Sequence, residues 1–114
     1  MTIDRRIGVL GGTFDPIHLG HLAVAVEATR ALALDEVLLV PSHMAPHRWA
    51  EPSASMFHRF AMVALATLQD ERFVASDLEL NRPGASFTVD TLRGLQAAGR
   101  SPLQLFFLTG ADAF

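Results

Sequence analysis

The sequence contains no cysteine and no lysine. Without cysteine there can be no disulfide, no thiolate nucleophile and no cysteine-ligated zinc. Without lysine there is no phosphate-binding P-loop, which requires the string G-x4-G-K-[S/T]. All nine basic residues are arginine, and the formal net charge is −3, so no basic face marks a general nucleic-acid binder. No run of about 18 apolar residues is present, which excludes an apolar membrane span of the usual length. Arg5 and Arg6 precede an apolar stretch, but it breaks at Gly11-Gly12, too soon for a secretory h-region. The expectation from these absences is a cytoplasmic protein that works without nucleic acid or membrane.

What is present is globular in character. Half of the 114 residues are hydrophobic and 18% are charged, enough to bury a core in one domain spanning residues 1–114. Ile7–Leu10 reads as a buried strand. His21–Leu34 is rich in alanine and leucine and reads as a helix. Glu36–Val40 is a second strand, stopped by Pro41. After a loop rich in proline and serine, Ser53 or Ser55 can cap a helix through MFHRFAMVALATL. Its apolar stripe is Phe57, Phe60, Ala61, Ala64, Leu65 and Leu68, with His58 and Arg59 off it. Phe73–Leu80 reads as a third strand, Thr88–Ala98 as a third helix and Leu103–Leu108 as a fourth strand.

Strands that alternate with helices, and that are mostly continuous apolar runs with only partial alternation in Phe73–Leu80, indicate an α/β fold. The expected architecture is a Rossmann-like, doubly wound parallel sheet with helices on both faces. The sequence stops just after a strand, where another helix should follow. The expectation is therefore an N-terminal portion that lacks its C-terminal part.

In such a sheet, ligands bind beyond the carboxyl ends of the strands. There lies GGTFDPIHLGH, Gly11–His21, between the first strand and the first helix. Its glycines permit close backbone approach, and a helix N-terminus follows, a ready site for phosphate. His18 and His21 add donors suited to phosphate oxygens. A dinucleotide fingerprint needs G-x-G-x-x-G, which is absent. Zinc at His18 and His21, completed by His43, His47 or Asp15, matches no common spacing. The alternative without chemistry is a structural turn carrying incidental histidines.

The string GGTFDPIHLGH resembles the signature of the nucleotidyltransferase α/β-phosphodiesterase superfamily, with its (H/T)-x-G-H element. GGTFDP together with His18 is similar to the bacterial nicotinate-nucleotide adenylyltransferases, and the similarity runs from Ile7 to Phe114. Pantetheine-phosphate adenylyltransferases, the neighbouring alternative, usually carry threonine at the place of His18. The resemblance implies transfer of the adenylyl group of ATP to nicotinate mononucleotide, with Mg²⁺ accompanying ATP. It gives His18 and His21 catalytic contacts with the ATP phosphates. Backbone groups of Gly12, Thr13 and Phe14 would hold the two nucleotides apart.

The loop PSHMAPHRW resembles a second signature of that family and would bring His47 and Arg48 to phosphate. ASFTVDTL resembles its Ser-Tyr-Thr segment, with Phe87 at the place of tyrosine, and puts Thr88 at the nicotinate carboxylate. TGADAF resembles its Gly-x-Asp segment, with Gly110 and Asp112 lining the nucleotide pocket. The family often has arginine at the place of Arg59. Further family segments, a tryptophan-containing helix and an Ile-Ser-(Ser/Ala)-Thr-x-(Ile/Leu)-Arg string, fall beyond Phe114. A non-catalytic nucleotide-binding fragment that self-associates through an uncovered sheet edge, a homo-oligomer, stands as the other class of reading.

Overall fold

A computed structural model describes residues 5–42, 55–80 and 103–108. In chain order the elements are strand β1 (Arg5–Gly12), helix α1 (Leu19–Leu32), β2 (Glu36–Pro41), α2 (Met56–Ala66), β3 (Phe73–Ala75) and β4 (Leu103–Leu108). The four strands form one parallel sheet in the order β3-β2-β1-β4. Ile7, Gly8, Val9 and Leu10 are buried in succession, so both faces of β1 are covered, as a continuous apolar run requires. The fold is the expected Rossmann-like one. Its strand order reverses between β1 and β4, and the crevice beyond their carboxyl ends is where such sheets bind ligands.

The amino end of the sheet is fixed by Arg6. Its backbone N–H donates to Asp35 Oδ2 at 2.8 Å, and Asp35 N–H donates back to the Arg6 carbonyl at 2.7 Å. Its Nε donates to the Leu32 carbonyl at 2.8 Å, supplying a cation to the end of α1 where carbonyls lack partners. The helix ends in Ala33, which takes the left-handed conformation at φ 51°. Leu34, the last residue of the expected helix, instead turns into the core beside Ala25, Val37 and Leu108. With this end locked, the N-terminus of α1 is carried to the opposite rim, at the carboxyl end of β1.

Two other elements differ from expectation. β3 stops at Ala75 rather than Leu80. Ser76 makes a last bond to the Leu39 carbonyl at 2.9 Å, and then the chain turns. Ser76 Oγ accepts from Leu78 N–H at 3.2 Å and the Asp77 carbonyl accepts from Leu80 N–H at 2.9 Å, local bonds that compete with a ladder. Helix α2 is capped by Ser55, whose Oγ accepts from His58 N–H at 3.2 Å. Its inward face is Met56, Arg59 and Val63, not the apolar stripe. Phe57, Leu65 and Leu68 stand 74%, 68% and 77% exposed, while Arg59 is 2% exposed. The helix is rotated so that its arginine points to the sheet. Thr88–Ala98 lies outside the described residues.

Candidate active site at the carboxyl end of β1

β1 ends at Gly12, whose carbonyl accepts from Ser42 N–H at 2.8 Å where β2 also ends. Phe14 then takes φ 50°, a conformation uncommon for a bulky residue, and the Asp15–Pro16 bond is cis. The Phe14 side chain turns into the core, 2% exposed. Of the expected backbone contributors, Gly12 and Thr13 lie half-buried on the rim with this turn.

His18 is the N-cap residue of α1, with extended backbone at φ −144° and ψ 178°. Its Nδ1 accepts from Gly20 N–H at 3.0 Å, and His21 Nδ1 accepts from His18 N–H at 3.0 Å. The two imidazoles thus form a reciprocal capping box, a role usually played by serine or threonine with glutamate. Backbone amides can only donate, so both Nδ1 atoms must be unprotonated. A neutral ring then carries its proton on Nε2, and Nε2–H is the donor each histidine can offer a ligand. The ring centroids lie 3.9 Å apart, and the His21 ring meets the Phe14 edge-to-face at 4.8 Å. Partial burial, and secondarily the nearby His18, lower the pKa of His21 below its usual value. The lowered pKa favours the neutral form of His21, whose Nδ1 accepts from His18 N–H at the N-terminus of α1.

Gly20 is required by this arrangement. A Cβ there would sit 2.8 Å from His18 Cε1 and 2.9 Å from Nδ1. Gly11 and Gly12 are less constrained by the protein itself. A Cβ on either would make ordinary 3.7 Å contact with the ring of Phe107 or Phe14. His47, Arg48, Thr88, Gly110 and Asp112 lie outside the described residues. Sequence reasoning underrated Arg59, whose Nη1 donates to the Thr13 carbonyl at 2.7 Å and to the Ser42 carbonyl at 2.6 Å. It also missed Glu79, 1% exposed just after β3. Helical periodicity carries no signal for the first, since the residue sits off the apolar stripe. For the second, Leu78 and Leu80 on either side disguise a buried carboxyl as the polar member of an alternating strand.

A cytidylyltransferase-like family model matches residues 9–114. The chain belongs to the cytidylyltransferase-like family. It is 52% identical over 110 residues to a Thermus thermophilus protein named "Probable nicotinate-nucleotide adenylyltransferase", covering 96% of this chain and 57% of that one. A Synechococcus protein of the same name is 47% identical over 110 residues, covering 96% of this chain and 53% of its own. The chain thus spans about half the length of the curated relatives it matches. A Plasmodium falciparum nicotinic acid mononucleotide adenylyltransferase complexed with NaAD superposes with a TM-score of 0.76. That match covers 95% of this chain and 53% of the other at 20% identity, a likeness of fold. The matched region opens on the last residues of β1 and takes in the turn and both histidines. No described helix is long and apolar enough to cross a membrane.

Proposed function

We propose that the intact protein transfers the adenylyl group of ATP to nicotinate mononucleotide, giving nicotinate adenine dinucleotide and pyrophosphate. The observation that carries this reading is the imidazole pair at the carboxyl end of β1, with both Nδ1 atoms held by backbone amides. The names of the relatives at 47–52% identity support the substrate assignment. A phosphate oxygen of the mononucleotide attacks the α-phosphorus of ATP in line. The bond from that phosphorus to the bridging β-phosphate oxygen breaks, and pyrophosphate leaves with the electron pair.

No covalent enzyme intermediate is needed, so the protein acts by positioning and charge stabilisation. Nε2–H of His18 and of His21 would donate to the phosphate oxygens as charge moves onto the leaving group. The N-terminus of the 14-residue α1 adds its positive partial charge at the same place. Gly12, Thr13 and Phe14 would separate the nucleotides with their backbone groups. His47 and Arg48 would hold phosphate, while Thr88, Gly110 and Asp112 would serve the nicotinate nucleotide. Among the described residues no three histidine or acidic side chains converge on a metal position. The described part therefore offers no protein cage, and Mg²⁺ would enter as the counter-ion of ATP, bound mainly through substrate phosphates.

Pyrophosphate release from MgATP, measured with a panel of acceptors, tests the reading. Nicotinate mononucleotide should support turnover. The nicotinamide nucleotide should be a poorer acceptor and 4′-phosphopantetheine inert. Release with 4′-phosphopantetheine alone, or with no acceptor in the panel, would refute it.

A further inference from the structure

Arg59 is nearly inaccessible to solvent, on a helix that leaves two large apolar side chains, Phe57 and Leu65, in water. Burying a guanidinium is costly, and the cost is offset only where strong acceptors meet it. The acceptors here are specific. Thr13 is the first residue after β1 and Ser42 the first after β2, and one nitrogen, Nη1, donates to both carbonyls. The exits of two adjacent strands are thereby tied at a single atom.

Holding the Thr13 carbonyl has a directional consequence. The peptide between Thr13 and Phe14 is planar, so the Phe14 N–H points opposite to that carbonyl, away from Arg59. Phe14 itself holds φ 50°, which a bulky residue keeps only where its surroundings over-determine it. Its ring packs edge-to-face on His21. A chain of contacts thus runs from Arg59 through the Thr13–Phe14 peptide and the Phe14 ring to the His21 imidazole.

We propose that Arg59 is a positioning residue whose clamp on two carbonyls sets the Thr13–Phe14 peptide and, through Phe14, the His21 ring at the phosphate-binding rim. This deepens the adenylyl-transfer reading and rests on it. The test uses the intact protein with Arg59→Met, which keeps an unbranched apolar stem, and Arg59→Lys, which keeps a multi-proton donor. Steady-state kcat and KM for ATP are measured with melting curves and the NMR signals of the Phe14 amide and His21 ring.

Arg59→Met should lower kcat at least about tenfold, a loss of the size that a small misplacement of reacting groups produces. Arg59→Lys should recover part of that loss. In Arg59→Lys the Phe14 amide and His21 ring signals should shift while those of Val37 and Leu39 stay in place. A folded Arg59→Met with kcat within about twofold of wild type would overturn the proposal. If Arg59→Met fails to fold, unshifted Phe14 and His21 signals in Arg59→Lys would overturn it instead. Absence of pyrophosphate release from the wild type refutes the underlying reaction, and the NMR signals still decide the clamp.

Discussion

An alanine at position 20 would place its Cβ 2.8 Å from Cε1 and 2.9 Å from Nδ1 of His18. To restore an ordinary 3.4 Å contact the ring must retreat by about 0.6 Å. The ring is held by the 3.0 Å bond from Gly20 N–H to its Nδ1, so the retreat stretches or breaks the cap. Losing an N-cap costs about 0.5–2 kcal/mol, while replacing glycine by alanine in a helix returns up to about 1 kcal/mol. Gly20→Ala should therefore destabilise by no more than about 2 kcal/mol. Turnover should fall much further, by roughly 10- to 100-fold, because the Nε2–H of His18 leaves its aligned position.

Denaturant unfolding and pyrophosphate-release kinetics on the intact protein measure the two effects separately. His18→Ala supplies the control. If Gly20 acts only by making room for that ring, the double variant should be no slower than His18→Ala alone, a strongly non-additive cycle. Equal turnover in Gly20→Ala and wild type would refute the reasoning. So would a double variant whose losses simply multiply.

Protonating His21 at Nδ1 destroys the bond it accepts from His18 N–H, so kcat should fall on the acid side with a midpoint below about 6.5, the ordinary histidine value. The same depressed pKa makes the unfolded chain the better proton acceptor. Its contribution to stability should be fully present above pH about 6.5 and lost as pH falls towards the lower folded value. His21→Ala should lower turnover at least roughly a hundredfold and remove that acid limb. A pH–rate midpoint at or above about 6.5 in the wild type would contradict the depressed His21 pKa. Gly8→Ala, at the centre of β1, would set its Cβ 2.7 Å from Leu34 Cδ1 and 3.2 Å from Leu108 Cδ1. It should cost about 1–3 kcal/mol in denaturant unfolding, as overpacking does, and a smaller loss would mean that Leu34 can yield.

β1, β2 and β4 were legible because each centres on a mostly apolar run, broken in β4 only by Gln104, with punctuation such as Gly11-Gly12 or Pro41 at the end of β1 or β2. That pattern survives burial on both faces, where no alternation is needed. The placing of the candidate site rested on the same fact, since the turn after the first strand of such a sheet lies at the carboxyl rim. The bounds of α1 were harder. Its first residue is Leu19, because a histidine performs the capping usually given to serine, threonine, asparagine or aspartate. Its end is an alanine in the left-handed region, where glycine is the usual mark. In both places the residue type is not the usual mark, and the cap is visible only in the local bonds it makes, from Gly20 N–H to His18 Nδ1 and from Ala33 N–H to the Thr29 carbonyl.

Helix α2 shows the same limit more sharply. Its apolar stripe is real, yet it faces outward at Phe57 and Leu65. Periodicity reports which residues share a face of a helix. It does not report which face a neighbouring element needs. The neighbouring element here is a pair of strand ends whose carbonyls, at Thr13 and Ser42, require a donor. An unsatisfied buried carbonyl is expensive, and a donor shared by two of them relieves both at once. That demand turns an arginine inward against the hydrophobic pattern, and it arises only once β1 and β2 lie side by side. A conflict between local pattern and tertiary demand is expected where a protein binds or reacts. Here it falls one peptide from the strained Phe14 and within ring contact of His21, at the rim where phosphate chemistry is proposed.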